Sequence, residues 1–430
     1  MTPTALLADA WERADAWEPG LGAVVRRLDR VAERPDGPLA GVVVGIKDAL
    51  AVAGFPREVG APDAVARDPQ PTDATAVAGW SEAGATLMAA TQVHPLCFGV
   101  VTPATRNPRA PDRIAGGSSG GSAAALAAGL VHLAIGTDTG GSVRGPAACC
   151  GIVGLKTTRG LVGLSGACEL AWSLDTIGPM ATSVWDVELG LAAMLRPDPD
   201  DPVYMSPPPF LPASPGPLRI GVPRQLEDTP IDPEVREVWQ ATLDDLRADG
   251  HRVVGIDLPS LIDAPAWNGL ILSTEAAAVL GDLTDAPTSA LPEEVRDRIR
   301  WGARQRGSDV AVARRRATVF AGELRAACRE VDVICTPTLA CRLPRVGEDE
   351  VVVDGSTQRT TFAMTKLTNP WNLLGVPAGT VPAGRDSDGA PIGMQLIGPW
   401  WSEPTVLRAM EVVERVRGGS WPVVTAPNPT

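Results

Sequence analysis

Short apolar runs that alternate with helical stretches constrain the fold of this chain more than any other feature. The run Val42–Ile46 is rich in β-branched residues and carries no charge, which is typical of a strand buried on both faces. A helix is predicted over 74–83 and another strand over 87–93, so the order is β-α-β. This alternation predicts an α/β fold, with a mixed β-sheet core covered by helices on both faces.

The same alternation continues towards the C-terminus. Asp232 followed by Pro233 predicts the start of a helix, because aspartate caps helices and proline fits the first turn. The other predicted elements are a helix over 123–128, a helical stretch over 289–329, strands over 130–135, 218–222, 252–256 and 331–335, and a hairpin of 376–382 with 391–398.

We expect all 430 residues to form one large domain, since no repeat or second composition class interrupts the pattern. Residues 1–40 are predicted to be a helical N-terminal segment, and about 41–195 form the core that carries the motifs below. A proline-rich stretch over about 196–217 is typical of an extended connector. Residues 218–430 then complete the same domain.

The charge balance excludes several classes of function. The chain has 38 basic and 51 acidic residues, a net charge of −13, and its longest basic cluster is 314–316. Nucleic-acid binding requires a basic face, so we expect no direct nucleic-acid partner. The longest uncharged small-residue run, 123–135, is shorter than the roughly 20 residues that span a bilayer, so we expect no membrane segment.

The cysteines and the N-terminus favour a cytoplasmic protein. The seven cysteines include no C-x-x-C pair, and the first residues lack the basic-then-apolar pattern of a secretory signal. We therefore expect reduced thiols and no structural metal site.

Lysine is rare in this chain. Only Lys47, Lys156 and Lys366 accompany the many arginines among the basic residues. A coding bias towards arginine explains such a ratio, but a lysine can lose its proton when it is desolvated and an arginine cannot. Lys47, which follows the predicted strand Val42–Ile46, is thus a candidate for a role that needs a neutral amine.

The segment Gly116–Gly120 matches the G-x-S-x-G pattern of the nucleophile elbow in α/β-hydrolases. That elbow requires a strand directly before it, and residues 111–115 are not strand-like. It also requires a histidine late in the chain, where only His251 stands, at the head of a predicted strand. His94 and His132 lie in unsuitable contexts, so acyl transfer here would have to proceed without histidine.

Two serine-glycine turns and one lysine resemble the amidase signature family. The turns are 116–122 and 137–142, their serines Ser118 and Ser142 are 24 residues apart, and Lys47 stands in Gly45-Ile46-Lys47-Asp48. The resemblance covers nearly the whole chain. The other matching segments are Thr105-Arg106-Asn107-Pro108, 150–156, 173–180, Thr336-Pro337-Thr338, Thr368-Asn369-Pro370 and 391–398.

The resemblance implies a Lys-Ser-Ser relay in which Ser142 is the nucleophile. Ser118, after a cis peptide bond with Gly117, would pass the proton of Ser142 to Lys47. A serine hydroxyl needs such a base, and an amine with an ordinary pKa near 10.4 can be that base only if burial disfavours its charge. The end of an apolar strand is a suitable place for that burial.

The resemblance also suggests the surroundings of the reacting group. The backbone amides of Thr139, Gly140, Gly141 and Ser142 would form an oxyanion hole, because glycines let successive N–H groups point at one oxygen. The candidate substrate-binding residues are Cys97, Arg144, Glu169 and Trp172. A packing role for Arg144 is an equal alternative, and Cys97, Glu169 and Trp172 depart from the usual family pattern.

The expected activity is hydrolysis of a small-molecule amide at its C–N bond through a serine acyl-enzyme. We expect no cofactor, no metal and no membrane partner, and the chain could be a homodimer. The alternatives are a glutaminase-like subunit of a tRNA-dependent amidotransferase, an esterase or acyl-transferase, and a non-catalytic homologue. Those alternatives stay open at the level of sequence.

Overall fold

A computed structural model describes residues 2–426 of the chain, except 33, 35, 66, 67, 211, 212, 214 and 286–289. In this described part, no helix is long and apolar enough to cross a membrane.

The described residues form helices and strands from one end of the chain to the other. The helices are α1 Pro3–Leu21, α2 Thr75–Glu82, α3 Gly120–Ala127, α4 Arg144–Cys150, α5 Val184–Met194, α6 Pro233–Ala248, α7 Ala264–Leu280, α8 Glu293–Ala303, α9 Gly307–Ala327, α10 Thr360–Thr365, α11 Asn369–Leu374 and α12 Glu403–Val416. The strands are β1 Val24–Arg30, β2 Val43–Lys47, β3 Thr86–Thr91, β4 Leu133–Thr137, β5 Val153–Lys156, β6 Ile177–Ala181, β7 Arg219–Pro223, β8 Arg252–Ile256, β9 Val333–Pro337, β10 Glu350–Val353, β11 Ser356–Arg359, β12 Ala378–Arg385 and β13 Pro391–Ile397.

Eleven of the strands form one mixed sheet in the order β1-β3-β2-β4-β6-β5-β12-β13-β9-β7-β8, and β10 pairs with β11 separately. Strand β2 runs parallel to both β3 and β4, and β7 runs parallel to both β8 and β9. The hairpin β12–β13 lies between these two parallel groups and joins them into one sheet. The expected single domain with a mixed sheet is confirmed.

The two faces of the sheet bury separate hydrophobic clusters, because successive side chains of a strand point to opposite faces. Val44 and Ile135 belong to the cluster under α2 and α5, whereas Val43 and Ala134 pack with α3 and α4 on the other face. The predicted helices on both faces of the sheet are thereby confirmed. Lys47, one of the catalytic candidates, is the last residue of β2 between these two clusters.

The prediction of a helical segment over 1–40 is wrong beyond α1. Strand β1 follows α1 and pairs antiparallel with β3 at the edge of the sheet. Its sequence carries Arg26, Arg27, Asp29 and Arg30, and charged side chains suit an edge strand but hide it from a search for apolar runs. Residues 1, 33 and 35 of that predicted segment lie outside the described part.

Other predictions are confirmed with shifted bounds. The stretch predicted as helical over 289–329 is two helices, α8 and α9, and residue 289 lies outside the described part. Asp232 caps α6 by accepting a hydrogen bond from the Glu234 amide at 3.0 Å, and the predicted hairpin is β12–β13. The described residues of the connector 196–217 form no helix or strand, and 211, 212 and 214 are not described.

Candidate active site

Lys47 is the last residue of β2, and its side chain is completely buried. Its Nζ lies 2.7 Å from Ser118 Oγ and 2.6 Å from Thr137 Oγ1, and 3.4 Å from the Thr137 carbonyl oxygen. Strands β3 and β4 flank β2 in parallel, so the carboxyl ends of three strands meet here. This is the edge at which open α/β sheets commonly bind ligands.

Burial lowers the pKa of the Lys47 amine, because desolvation disfavours its charged form. The Cys97 thiol and the carboxylates of Asp138 and Asp175 act in the opposite direction but more weakly. A lysine in this setting can exist as a neutral amine closer to neutral pH than an exposed one.

Ser118 lies in the loop before α3, and the Gly117–Ser118 peptide bond is cis, as the resemblance implied. The Ser118 carbonyl accepts hydrogen bonds from the His94 amide at 3.0 Å and from Thr102 Oγ1 at 3.4 Å. Its side chain is fully buried. These contacts leave the hydroxyl directed at Lys47.

Ser142 lies in the turn that joins β4 to α4. Its carbonyl accepts a hydrogen bond from the Ser119 amide at 3.3 Å, which ties this turn to the Ser118 loop. A side chain at Gly141 would approach Thr368 Oγ1 to 2.4 Å, and Gly141 also has a φ of +127°, so only glycine fits. Among the described residues the Ser142 hydroxyl has no hydrogen-bond partner, and the residue is partly exposed.

The carboxylate of Asp138 accepts hydrogen bonds from the backbone of this turn. It is fully buried and accepts hydrogen bonds from the amides of Gly141 at 2.8 Å and Val143 at 3.0 Å. Burial alone would raise the pKa of Asp138, but the Arg144 guanidinium, the Lys156 charge and the hydrogen bond from Asn372 together hold that pKa below the usual range. The carboxylate therefore stays charged and keeps the turn in place.

The structure corrects the assignment of Arg144 as a substrate-binding residue. Arg144 is fully buried, and its five N–H groups make five hydrogen bonds within the protein. The acceptors are both oxygens of Asp138, the Thr368 carbonyl, Gln395 Oε1 and Asn372 Oδ1. No donor is left for a substrate, so Arg144 positions the turn.

The predicted oxyanion hole is reduced by one amide. The Gly141 N–H donates to Asp138, so it is not free to bind a substrate oxygen. The amides of Thr139, Gly140 and Ser142 have no acceptor within the described part of the chain. These three N–H groups remain candidates for holding an oxyanion.

Ser142 lines a small cavity of about 60 Å³. Its lining brings together Gly117, the turn 139–142 and residues of α7, α8 and α10. Asn268 on α7 and Arg298 on α8 are two of the lining residues that the sequence analysis missed. Their helices show only ordinary helical periodicity, so no sequence signal pointed to them.

Glu169 and Trp172 do not line the cavity that contains Ser142. They line a neighbouring cavity of about 200 Å³, together with Asp175, Asp200 and Asp201. Cys97 is the only one of the four predicted substrate-binding residues that borders both cavities. Thr139 and Leu170 complete this shared wall.

No metal centre is evident in the described residues, in which no three His, Cys, Asp or Glu side chains are grouped as ligands. The structure thus shows a buried amine in contact with the Ser118 hydroxyl, next to a turn that carries Ser142 and backbone N–H groups without acceptors among the described residues.

Comparisons with known proteins find relatives in sequence and in fold. A family model described as Amidase matches residues 22–407. A glutamyl-tRNA(Gln) amidotransferase subunit from Halobacterium salinarum is 35% identical over 88% of this chain and 96% of its own length. An amidase from Pseudomonas putida is 36% identical over 87% of this chain and 81% of its own length.

A solved amidase crystal structure superposes with a TM-score of 0.86 at 31% identity, covering 96% of each chain. The agreement in sequence, fold and length leads to one conclusion. The chain belongs to the amidase signature family and is a hydrolase of amide C–N bonds.

Proposed function

We propose that the protein hydrolyses a small-molecule amide through an acyl-enzyme on Ser142, with Ser118 and Lys47 as the proton relay. The single observation that carries this proposal is the 2.7 Å separation between Lys47 Nζ and Ser118 Oγ. It joins a buried amine to a hydroxyl in the loop that hydrogen-bonds the Ser142 turn.

In the first step, Ser142 Oγ attacks the amide carbonyl while its proton passes to Ser118 and the Ser118 proton passes to the neutral amine of Lys47. Negative charge develops on the carbonyl oxygen. The free amides of Thr139, Gly140 and Ser142 are suited to hold it, because preorganised N–H groups stabilise charge that forms in the transition state.

In the second step, the tetrahedral intermediate breaks its C–N bond, and the leaving amine takes a proton returned through Ser118. Water then attacks the acyl-enzyme by the same relay and releases the carboxylic acid. One amide and one water give one acid and one amine, and Lys47 ends neutral as it began.

The setting of the enzyme is part of the same proposal. All seven cysteines are free, which supports a reducing compartment such as the cytoplasm. The small cavity at Ser142 supports a small-molecule amide without nucleic acid as a direct ligand. A homodimer stays a prediction, for which gel filtration is the direct measurement.

A second candidate function is that of the glutaminase-like subunit of a tRNA-dependent amidotransferase. The 35% identity with the amidotransferase subunit from Halobacterium salinarum, over nearly the full length of that subunit, favours it. A chain that hydrolyses amides at full rate alone would argue for the first function. Glutaminase activity that appears only with partner proteins would argue for the second.

The test is covalent capture of the acyl group. Incubating the protein with activated aryl esters and aryl amides, followed by peptide mass spectrometry, should show acylation of the peptide that contains Ser142. Ser142→Ala should remove both the adduct and turnover, by at least about 10³-fold, because loss of a nucleophile costs several orders of magnitude. Acylation at another residue, or turnover retained in Ser142→Ala, would refute the proposal.

A further inference from the structure

Asn268 presents an unpaired amide to the cavity in front of Ser142. It lies on α7, is fully buried, and lines the same cavity as Ser142. Within the described residues, neither its Nδ2 nor its Oδ1 has a hydrogen-bond partner. Burying a polar group without a partner is unfavourable, so such a side chain indicates a ligand that supplies the missing bonds.

Arg298 brings a positive charge to the same cavity. Its Nη1 donates to the Phe98 carbonyl at 2.6 Å, and its guanidinium lies 3.8 Å from the centre of the Phe98 ring. It forms no ion pair with any carboxylate of the described residues, and no aspartate or glutamate is among the described residues that line this cavity. Burial lowers the pKa of Arg298 to about 10, which still leaves it charged at neutral pH.

Helices α7 and α8 pack against each other, and each contributes a polar residue, Asn268 or Arg298, to the lining of the cavity. The Phe98 contacts fix the guanidinium and occupy one nitrogen, while Nε and Nη2 have no acceptor in the described part of the chain. This differs from buried Arg144, all of whose donors are satisfied within the protein.

We propose that Arg298 and Asn268 bind a carboxylate of the substrate, so that the preferred substrates are small amides that carry an acidic group. The inference rests on the proposed function and adds its substrate class. The planar fork of an arginine matches a carboxylate, and the Asn268 amide provides a neutral donor in the same cavity. The small cavity volume, about 60 Å³, favours short substrates over long ones, and the monoamides of C3 to C5 dicarboxylic acids are among the shortest that carry both an amide and a carboxylate.

The experiment compares kcat/KM for malonamate, succinamate and glutaramate with that for the neutral methyl ester of each. The wild-type protein should favour at least one acid over its ester. Arg298→Gln should lower the acid-to-ester ratio by roughly 10- to 100-fold, mainly through KM, because a hydrogen bond to a charged group is lost. Arg298→Lys keeps the charge and should restore part of the ratio.

One control and one further variant separate recognition from folding. Arg300→Gln removes a charge from the exposed side of the same helix, where Arg300 pairs with Glu293, and should leave the ratio unchanged. Asn268→Ala should lower the ratio while the thermal unfolding midpoint changes little, since no protein hydrogen bond is lost. A structural role for Arg298 would lower the rates for acid and ester together.

A wild-type ratio near one for all three pairs, or a ratio that Arg298→Gln does not change, would overturn the inference. Acylation of Ser142 by a neutral aryl ester distinguishes a failure of this inference from a failure of the proposed function. If Ser142 is acylated but acids are not preferred, only the carboxylate inference fails. If Ser142 is not acylated, the proposed function fails first.

Discussion

The two cavities on either side of the wall formed by Cys97, Thr139 and Leu170 carry opposite charge. Among the described residues, the cavity of Ser142 is lined by Arg298 and by no carboxylate, whereas four carboxylates and no basic residue line the other. These four are Glu169, Asp175, Asp200 and Asp201. A substrate at Ser142 therefore meets positive charge on its own side of the wall and negative charge beyond it.

This difference shows that the net charge of the whole chain does not indicate the charge that lines an individual cavity. The chain carries −13 overall, yet the cavity that contains its candidate nucleophile has a positive lining residue and free N–H groups. The acidic residues lie one wall away, where Asp175 is buried and accepts hydrogen bonds from Thr139 Oγ1 at 2.5 Å and from the Leu170 amide at 2.8 Å. Burial raises the pKa of Asp175 to about 6.

The largest effect on activity is expected at Lys47, whose amine interacts electrostatically with Cys97 in the shared wall and with Asp175 beyond it. Lys47→Arg should lower kcat/KM by at least about 10³-fold at every pH, because a guanidinium does not lose its proton and cannot act as a base. In the wild-type protein, kcat/KM should rise with pH and level off above the lowered pKa of Lys47, since only the neutral amine accepts a proton.

The pH profile of kcat/KM for Lys47→Ala provides the matching control. Its small residual rate should lose the rise with pH that the wild-type protein shows. An active Lys47→Arg protein, or a wild-type profile without that rise, would place the base elsewhere.

A smaller effect is expected from Ser118, whose neighbour Gly117 lines the cavity of Ser142. Ser118→Ala should lower the acylation rate by roughly 10²–10⁴-fold, the usual worth of a proton-transfer group. Ser119→Ala is the matched control, because Ser119 is an equally buried neighbour whose hydroxyl donates to the Thr137 carbonyl, at 3.4 Å, and not to the relay. Stopped-flow acylation with an aryl ester measures both, and equal losses would deny Ser118 a specific role.

The smallest effect is expected from the acidic cavity. Glu169→Gln should raise kcat/KM for a carboxylated amide by at most about fivefold, because Glu169 is exposed and exposed charges interact weakly across solvent. The gain should shrink as salt increases. Steady-state rates at two ionic strengths check this. A change in kcat/KM as large as that caused by Arg298→Gln would mean that the wall does not separate the charges of the two cavities.

The sequence predicted the parts of the molecule that local patterns specify. Strand β2 is a continuous apolar run, and helix α6 has a capping aspartate, so both were found. Strand β1 was missed because its exposed face is charged, and β6 because the run Ile177–Ala181 contains glycine and proline. Recognising these two strands required their tertiary pairing in the sheet.

The candidate site divides in the same way. Lys47, Ser118 and Ser142 stand in local motifs, and the structure brings the first two into contact. Asn268 and Arg298 become neighbours of Ser142 only through the packing of α7 and α8, which no local spacing encodes. The burial of Arg144 likewise depends on Gln395 and Asn372, more than 200 residues away.

The position of the hairpin β12–β13 has a consequence for how the protein is made. A ribosome releases the strands of both parallel groups before it releases residues 378–397, yet these residues occupy the middle of the finished sheet. Until then β5 and β9 are open edges, which are prone to pairing with other chains. A nascent chain arrested before residue 378 should therefore depend on chaperones, and two separately expressed halves should stay insoluble unless the hairpin joins them.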